Sequence, residues 1–236
     1  VGFVLAIVST VLQKKAVESP FFKEAKESNK LSKTPLKDAL KGPKMPLLWV
    51  FVLTGYVGIA YYMMATFLPN VLILNRGFDV NMVMFITVAI STIYAIVAPL
   101  FGWMSDIWGR KIILYVPITS IAILGLPMFY FFNNAGLESV LMVELVLAIL
   151  ISAMTASFQI TVTELFPTSH RYSGMSAAYN IGNAVFAGTT PMICIWLADV
   201  SHSNYAPGYY LVIASIVTLA FIYTMPETRH SKNFEN

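Results

Sequence analysis

A short charged run between two strongly apolar stretches is the part of this sequence best suited to specific chemistry. Residues 102–111 read GWMSDIWGRK, with Asp106 four residues before Arg110. A carboxylate and a guanidinium at this spacing can form a charge-assisted ion pair. Gly102 and Gly109 permit a tight turn and a close approach of backbones. The run therefore predicts a charged hairpin between two apolar segments.

Other charged residues at the ends of apolar stretches can complete such a pair. Arg110 and Lys111 are available to Glu164 or Glu227, which both follow long apolar segments. We expect these residues to form a cluster of ion pairs between the ends of helices. The alternative is a set of exposed ion pairs, each worth at most about 1 kcal/mol.

Glu144 is the ionisable side chain that lies deepest in an apolar stretch. It is placed about 10 Å from the end of its segment at 1.5 Å per helical residue. A carboxyl group at that depth suits proton binding or contact with a polar solute. The alternative is a carboxyl that reaches the membrane surface or satisfies a neighbouring helix.

Composition indicates that the elements carrying these residues lie in a lipid bilayer. Apolar residues make up 57% of the chain and charged residues 11%, and the mean hydropathy is +0.70, outside the range of ordinary soluble domains. A helix needs about 20 residues to cross the hydrocarbon core. Six apolar runs meet this requirement: 47–74, 81–104, 112–133, 137–163, 173–198 and 206–226.

The remaining segments predict the domain organisation. Residues 1–12 are apolar but short, and we expect them to be the truncated end of a preceding helix; a signal peptide is the weaker alternative. Residues 13–46 read as a polar central loop, 47–226 as a six-helix transmembrane bundle, and 227–236 as a tail.

Basic residues predict the orientation, because Lys and Arg accumulate in cytoplasmic loops. With the 13–46 loop in the cytoplasm, alternating loops place every Lys and Arg except Arg76 on that side. We therefore expect both the 13–46 loop and the carboxy terminus to be cytoplasmic.

Polar residues at helical spacing predict the faces that meet water or solute. They lie on the first, fourth and fifth spans, whereas the third and sixth spans have apolar middles and are expected to face lipid. The candidate solute-binding or proton-coupling residues on these faces are Tyr62, Thr66, Glu144, Gln159, Asn180 and Asn183. The face of the fourth span, which runs from Glu144 through Ser152 to Gln159, is expected to be wet.

Several motifs together resemble one transporter family. The 102–111 run resembles the loop signature of the major facilitator superfamily, with Ile107 where that signature often has Arg. Residues 18–20 (ESP) and 226–229 (PETR) resemble markers of its sugar-transporter-like branch. The run 164–174, ELFPTSHRYSG, resembles the metabolite:proton symporter family, whose members carry proline, betaine, α-ketoglutarate, citrate or shikimate.

The resemblance implies a fold and a function. It implies the carboxy-terminal six-helix half of a twelve-helix bundle, with the amino-terminal half of the same protein and the lipid bilayer as partners. It also implies proton-coupled symport of a small organic acid or zwitterionic osmolyte by alternating access, in a bacterial inner membrane. The gating motif would comprise Gly102, Asp106, Gly109, Arg110, Lys111, Glu164, Arg171 and Glu227.

Other function classes are less consistent with the residues. An enzyme would need clustered catalytic groups, but His170, His202 and His230 lie in loops or the tail. We expect no catalytic residue, metal, cofactor or nucleic-acid partner. An uncoupled facilitator, or a transporter-derived receptor that binds solute without net flux, remains open.

Overall fold

The computed structural model describes residues 44–134, 136–165 and 171–229, without the side chains of residues 171–174. Within these ranges the regular structure is helical throughout. Six of the helices there are long and apolar enough to cross a membrane. The prediction of an all-helical membrane bundle is therefore confirmed. The interpretations of residues 1–43, His170 and the tail 230–236 lie outside the described residues.

The helices are numbered α1 to α6 in chain order. Their bounds are Lys44–Leu74 (α1), Val80–Trp108 (α2), Arg110–Asn134 (α3), Leu137–Glu164 (α4), Arg171–Gly182 continuing through Asn183–Ala187 to Thr190–Ser201 (α5), and Ala206–Thr224 (α6). Every boundary lies within four residues of the predicted span. α1 begins inside the segment that was expected to be the central loop.

Glycines allow α1 and α5 to cross closely. A Cβ atom added to Gly58 would lie 2.3 Å from the Cβ of Ala187, and one added to Gly182 would lie 2.8 Å from the carbonyl oxygen of Phe51. Each helix also contains a π-helical turn, Met63–Phe67 in α1 and Asn183–Ala187 in α5. Close backbone contact of this kind supplies the van der Waals attraction that holds membrane helices together.

Burial divides the six helices into interior and peripheral ones. In an apolar 18-residue stretch of each helix, 61% of the residues of α1 and 50% of those of α4 are buried, against 17% in α2 and 22% in α5. α3 and α6 pack tightly on each other, since a Cβ on Gly208 would lie 2.9 Å from the Phe129 ring. The bundle thus leaves much of α2 and α5 uncovered by its own residues.

The predicted hairpin at 102–111 is shorter than expected. α2 continues to Trp108, and Gly109 alone separates it from α3 with a φ of +102°. Gly102 lies inside α2, with no atom within 4 Å of a Cβ added to it. Its predicted part in the turn is therefore wrong. A helix tolerates one interior glycine because the cost relative to Ala is only about 1 kcal/mol.

The prediction of a wet face along α4 is also wrong for most of its length. Glu144 is 3% exposed, and Ser152 is fully buried. The Ser152 hydroxyl donates to the Tyr94 carbonyl oxygen of α2 at 2.8 Å, because this face packs against α2. Gln159, near the end of α4, is the exposed residue on this face.

Candidate functional site

The guanidinium of Arg110 lies at the centre of a group of polar side chains where α2, α3 and α4 meet. Its Nη1 atom is 2.5 Å from Asp106 Oδ1. Its Nε and Nη2 atoms each lie 3.4 Å from a different oxygen of Glu164. The side chains of Arg110 and Glu164 are each 10% exposed, whereas that of Asp106 is 59% exposed. Arg110 thus joins one buried carboxylate to one that faces out.

Glu227 binds the same region through the backbone. Its two carboxylate oxygens accept hydrogen bonds from the amides of Arg110 at 2.9 Å and Lys111 at 3.1 Å. These are free N–H groups at the start of α3, where a negative charge is stabilised by the helix dipole. Gly109 makes room for this contact, since a Cβ there would lie 2.8 Å from Glu227 Oε2.

Lys111 and Arg229 bind the backbone ends of the neighbouring helices. Lys111 Nζ donates to the carbonyl oxygens of Tyr223 at 2.9 Å and Met225 at 2.8 Å, at the end of α6. Arg229 Nη1 donates to the Ile107 carbonyl oxygen at the end of α2. The segment after α6 is therefore attached to both sides of the Gly109 turn.

Three hydroxyl groups that the sequence analysis did not single out complete the group. Thr228 donates to Glu164 Oε2 at 2.7 Å. The Ser157 hydroxyl donates to the Arg110 carbonyl oxygen at 2.9 Å and lies 2.9 Å from the Ser105 hydroxyl. Ser105 and Thr228 stand inside motifs already noted, one residue before Asp106 and one after Glu227, and this adjacency was the available signal.

We call Ser105, Asp106, Arg110, Glu164, Glu227 and Thr228 the Arg110 cluster. It joins α2, α3, α4 and the segment after α6 at one end of the bundle. The cluster can hold the helix ends together reversibly, because its contacts are ion pairs and hydrogen bonds that break if the helix ends separate. Of the other gating candidates, Gly102 lies outside the cluster, and the side chain of Arg171 lies outside the described residues.

The candidate solute-binding residues are distributed between exposed and part-buried positions. Tyr62, Gln159 and Asn180 are exposed, on α1, α4 and α5 respectively. Thr66 and Asn183 are half-buried and lie in the two π-helical turns. Such turns interrupt the regular backbone pairing and are frequent at functional sites.

Aromatic contacts lie beside the exposed polar positions. The ring of Tyr61 lies 5.8 Å from that of Tyr62 and 5.9 Å from that of Tyr94, so that α1 and α2 share an aromatic surface. Phe158 and Tyr179 stack at 6.1 Å between α4 and α5, each directly preceding a polar candidate, Gln159 or Asn180. Tyr62 therefore lies in an aromatic contact, and Gln159 and Asn180 each follow a stacked ring in the sequence.

Glu144 is separate from these exposed positions. It is buried, and within the described residues its Oε1 atom has no hydrogen-bond partner. Buried polar groups in proteins are almost always paired, so an unpaired carboxyl oxygen calls for an explanation. An uncharged, protonated carboxyl is the state that burial favours.

Comparisons with known proteins agree on one family. The profile of the Major Facilitator Superfamily matches residues 50–236. A proline/betaine transporter of Escherichia coli is 29% identical over 235 residues, which are 95% of this chain and 46% of the relative. A glycine betaine/proline/ectoine/pipecolic acid transporter of Dickeya dadantii is 32% identical over 170 residues, which are 72% of this chain and 34% of the relative.

A third relative carries a less specific name. The inner membrane metabolite transport protein YhjE of Escherichia coli is 27% identical over 232 residues, 96% of this chain and 52% of the relative. The chain thus spans about half the length of the curated relatives it matches, and the matched half is their carboxy-terminal part.

Proposed function

The chain belongs to the Major Facilitator Superfamily, and we propose that it acts as the carboxy-terminal half of a secondary transporter for a small zwitterionic solute. The observation that carries this proposal is the Arg110 cluster, which fastens three helices and the segment after α6 at one end of the bundle. Alternating access requires a fastening that closes one end and opens when the two halves of a carrier rock. We propose that the Arg110 end lies on the cytoplasmic side of a bacterial inner membrane, together with the 13–46 loop and the carboxy terminus.

The exposed surfaces of α2 and α5 favour a solute cavity whose second wall is made by another part of the protein. These helices are the least buried in their apolar windows. Between this bundle and an amino-terminal half of the same protein, Tyr62 of α1, Gln159 of α4 and Asn180 of α5 would contact the solute. Aromatic faces attract organic cations, and relatives named for proline, betaine and ectoine favour a zwitterion over an organic acid.

Glu144 supports coupling to protons. A buried carboxyl group without a partner can exchange a proton when a conformational change brings water or a charge to it. It acts at a distance from the exposed polar positions, so its protonation would be linked to transport through the packing of α4 on α2. Proton symport is therefore the form of transport that we propose.

An uptake experiment tests both parts of this function. The whole protein in proteoliposomes should accumulate radiolabelled proline or betaine under an imposed proton gradient, and a proton ionophore should abolish the accumulation. Equilibration without accumulation would instead indicate an uncoupled facilitator. Solute binding without any counterflow would indicate a receptor.

A single substitution then isolates the proton site. Glu144→Gln keeps the size of the side chain but cannot ionise, so gradient-driven accumulation should be lost while counterflow of the solute persists. The matched control Glu144→Asp keeps an ionisable carboxyl group at the same position and should retain gradient-driven accumulation. Unchanged accumulation and unchanged pH dependence in Glu144→Gln would rule out its role in coupling.

A further inference from the structure

A cavity of about 160 Å³ lies at the end of the bundle opposite the Arg110 cluster. It is bounded by the last turns of α1, α3 and α5 and by the loop before α6. Asn133, in its wall, lies 23 residues after Arg110 on α3, or about 35 Å along the helix. The cavity is therefore a site separate from the Arg110 cluster, and no function has yet been assigned to it.

The lining combines aromatic rings with a single formal charge. Phe67, Phe129 and Phe132 are buried at 6%, 3% and 1% exposure. Asp199 of α5 is exposed, and it is the one charged residue among the described residues that line the cavity. Aromatic rings attract a cation through their faces, and the carboxylate attracts it by its negative charge, so both groups favour a positively charged ligand.

The amides in the wall contribute acceptors. Asn133 Nδ2 donates to the carbonyl oxygens of Phe129 at 2.8 Å and Asn204 at 3.3 Å. Asn70 Nδ2 donates to the Thr66 carbonyl oxygen at 2.8 Å. Both N–H groups of Asn133 are engaged with the backbone, so its amide oxygen is the atom that it has left to offer. Asn70 keeps its amide oxygen and one N–H group. Oxygen acceptors complement a positive ligand.

The size of the cavity limits the ligand. An engineered cavity of about 150 Å³ in another protein holds a benzene molecule. A trimethylammonium or tetramethylammonium group is of similar size and fits here. We propose that this cavity binds a small alkylammonium group, held by Asp199 and the three phenylalanine rings.

This site is independent of the transport function proposed above. Its ligand is recognised at the far end of the bundle by residues other than the exposed polar positions of α1, α4 and α5. The site would concentrate ammonium-bearing solutes at that mouth of the protein whether or not the protein couples their movement to protons.

Direct binding of tetramethylammonium tests the proposal. The whole protein in lipid nanodiscs is equilibrated with the radiolabelled cation, and bound label is measured by dialysis. We expect saturable binding that Asp199→Asn weakens about tenfold, the effect of losing one well-placed charge contact. tert-Butanol, which has a similar shape but no charge, should not compete.

Two further variants keep the test decisive. Asp79→Asn removes a carboxylate from the same end of the bundle but outside the cavity, and it keeps the oxygen that caps α2 by accepting from the Met82 amide. It should bind the cation as the native protein does. Asn133→Asp adds a carboxylate to the wall and should bind more tightly. Absence of saturable binding, or equal affinity in the native, Asp199→Asn and Asn133→Asp proteins, would overturn the proposal.

Discussion

The two ends of α3 are built in opposite ways. At its start, Arg110 and the backbone amides of Arg110 and Lys111 are all engaged by carboxylates from other elements. At its end, Phe129, Phe132 and Asn133 border a cavity. One helix thus begins in a set of satisfied contacts and finishes beside open space. The bundle therefore has a polar cluster that joins its elements at one end and a cavity at the other.

Removing the guanidinium should produce the largest loss of stability. Arg110→Met leaves Glu164 buried without its cation, and breaking a buried ion pair in this way costs about 3 to 5 kcal/mol. We expect a clear fall in the temperature at which the purified protein loses its monodisperse elution profile. The matched control is Lys111→Met, next in the chain, where the half-buried side chain contacts two carbonyl oxygens and the Tyr223 ring but pairs with no carboxylate among the described residues. Equal effects of the two substitutions would show that Arg110 has no special place.

The crossing of α1 and α5 should be the next most sensitive region. Gly58→Ala forces a methyl group into the Ala187 side chain, and overpacking of this kind costs about 1 to 3 kcal/mol. Gly102→Ala is the control, because its Cβ meets open space and alanine favours a helix. Heating curves should show a loss for the first variant and none for the second. If Gly58→Ala is as stable as the native protein, the close contact is not needed.

Removing a helix cap should cost less stability than either of these changes, and the cost should differ between the two ends of the bundle. Glu227→Ala removes the acceptor for the amides of Arg110 and Lys111, whereas Asp79→Ala removes the acceptor for the Met82 amide alone. A lost cap costs about 0.5 to 2 kcal/mol, and the double contact places Glu227→Ala toward the upper part of that range. The same heating assay ranks the two variants. A larger loss for Asp79→Ala would reverse the contrast between the ends.

Asp106→Asn should have the smallest effect on stability. The carboxylate is 59% exposed, and exposed ion pairs contribute about 0 to 1 kcal/mol. Thermal stability should therefore stay close to the native value while uptake changes, because weakening the fastening shifts the balance between open and closed forms. A stability loss as large as that of Arg110→Met would mean that Asp106 is structural.

The sequence predicted the six spans because a bilayer imposes both their length and their apolar character. It misjudged Gly102, which reads as a turn residue but lies inside α2, since a membrane helix can include a glycine when the apolar run continues. It also misjudged Glu144 and Ser152. Helical spacing shows which residues share a face, but not whether another helix covers that face, and at Ser152 α2 does.

The charged residues of the site were predicted from the sequence, whereas its hydroxyl residues were not. Asp106, Arg110, Glu164 and Glu227 are conspicuous because charged residues are rare in this chain. Ser105, Ser157 and Thr228 are ordinary residue types, and only the packing of α2 on α4 brings Ser105 and Ser157 within 2.9 Å. The cavity near Asp199 was not predicted at all, because its wall is assembled from segments far apart in the sequence.

The accessibility of the exposed polar surface from the Arg110 end tests most directly whether the Arg110 cluster closes that end. Gln159→Cys is made in a background in which Cys194 and any other cysteine of the whole protein are replaced by Ala. Labelling of this thiol by an impermeant maleimide from that side is timed in proteoliposomes. Adding Asp106→Asn should speed the labelling severalfold, and adding Asp79→Asn at the opposite end should not. Equal labelling rates in all three proteins, together with normal uptake by Asp106→Asn, would contradict the claim that the Arg110 cluster closes this end.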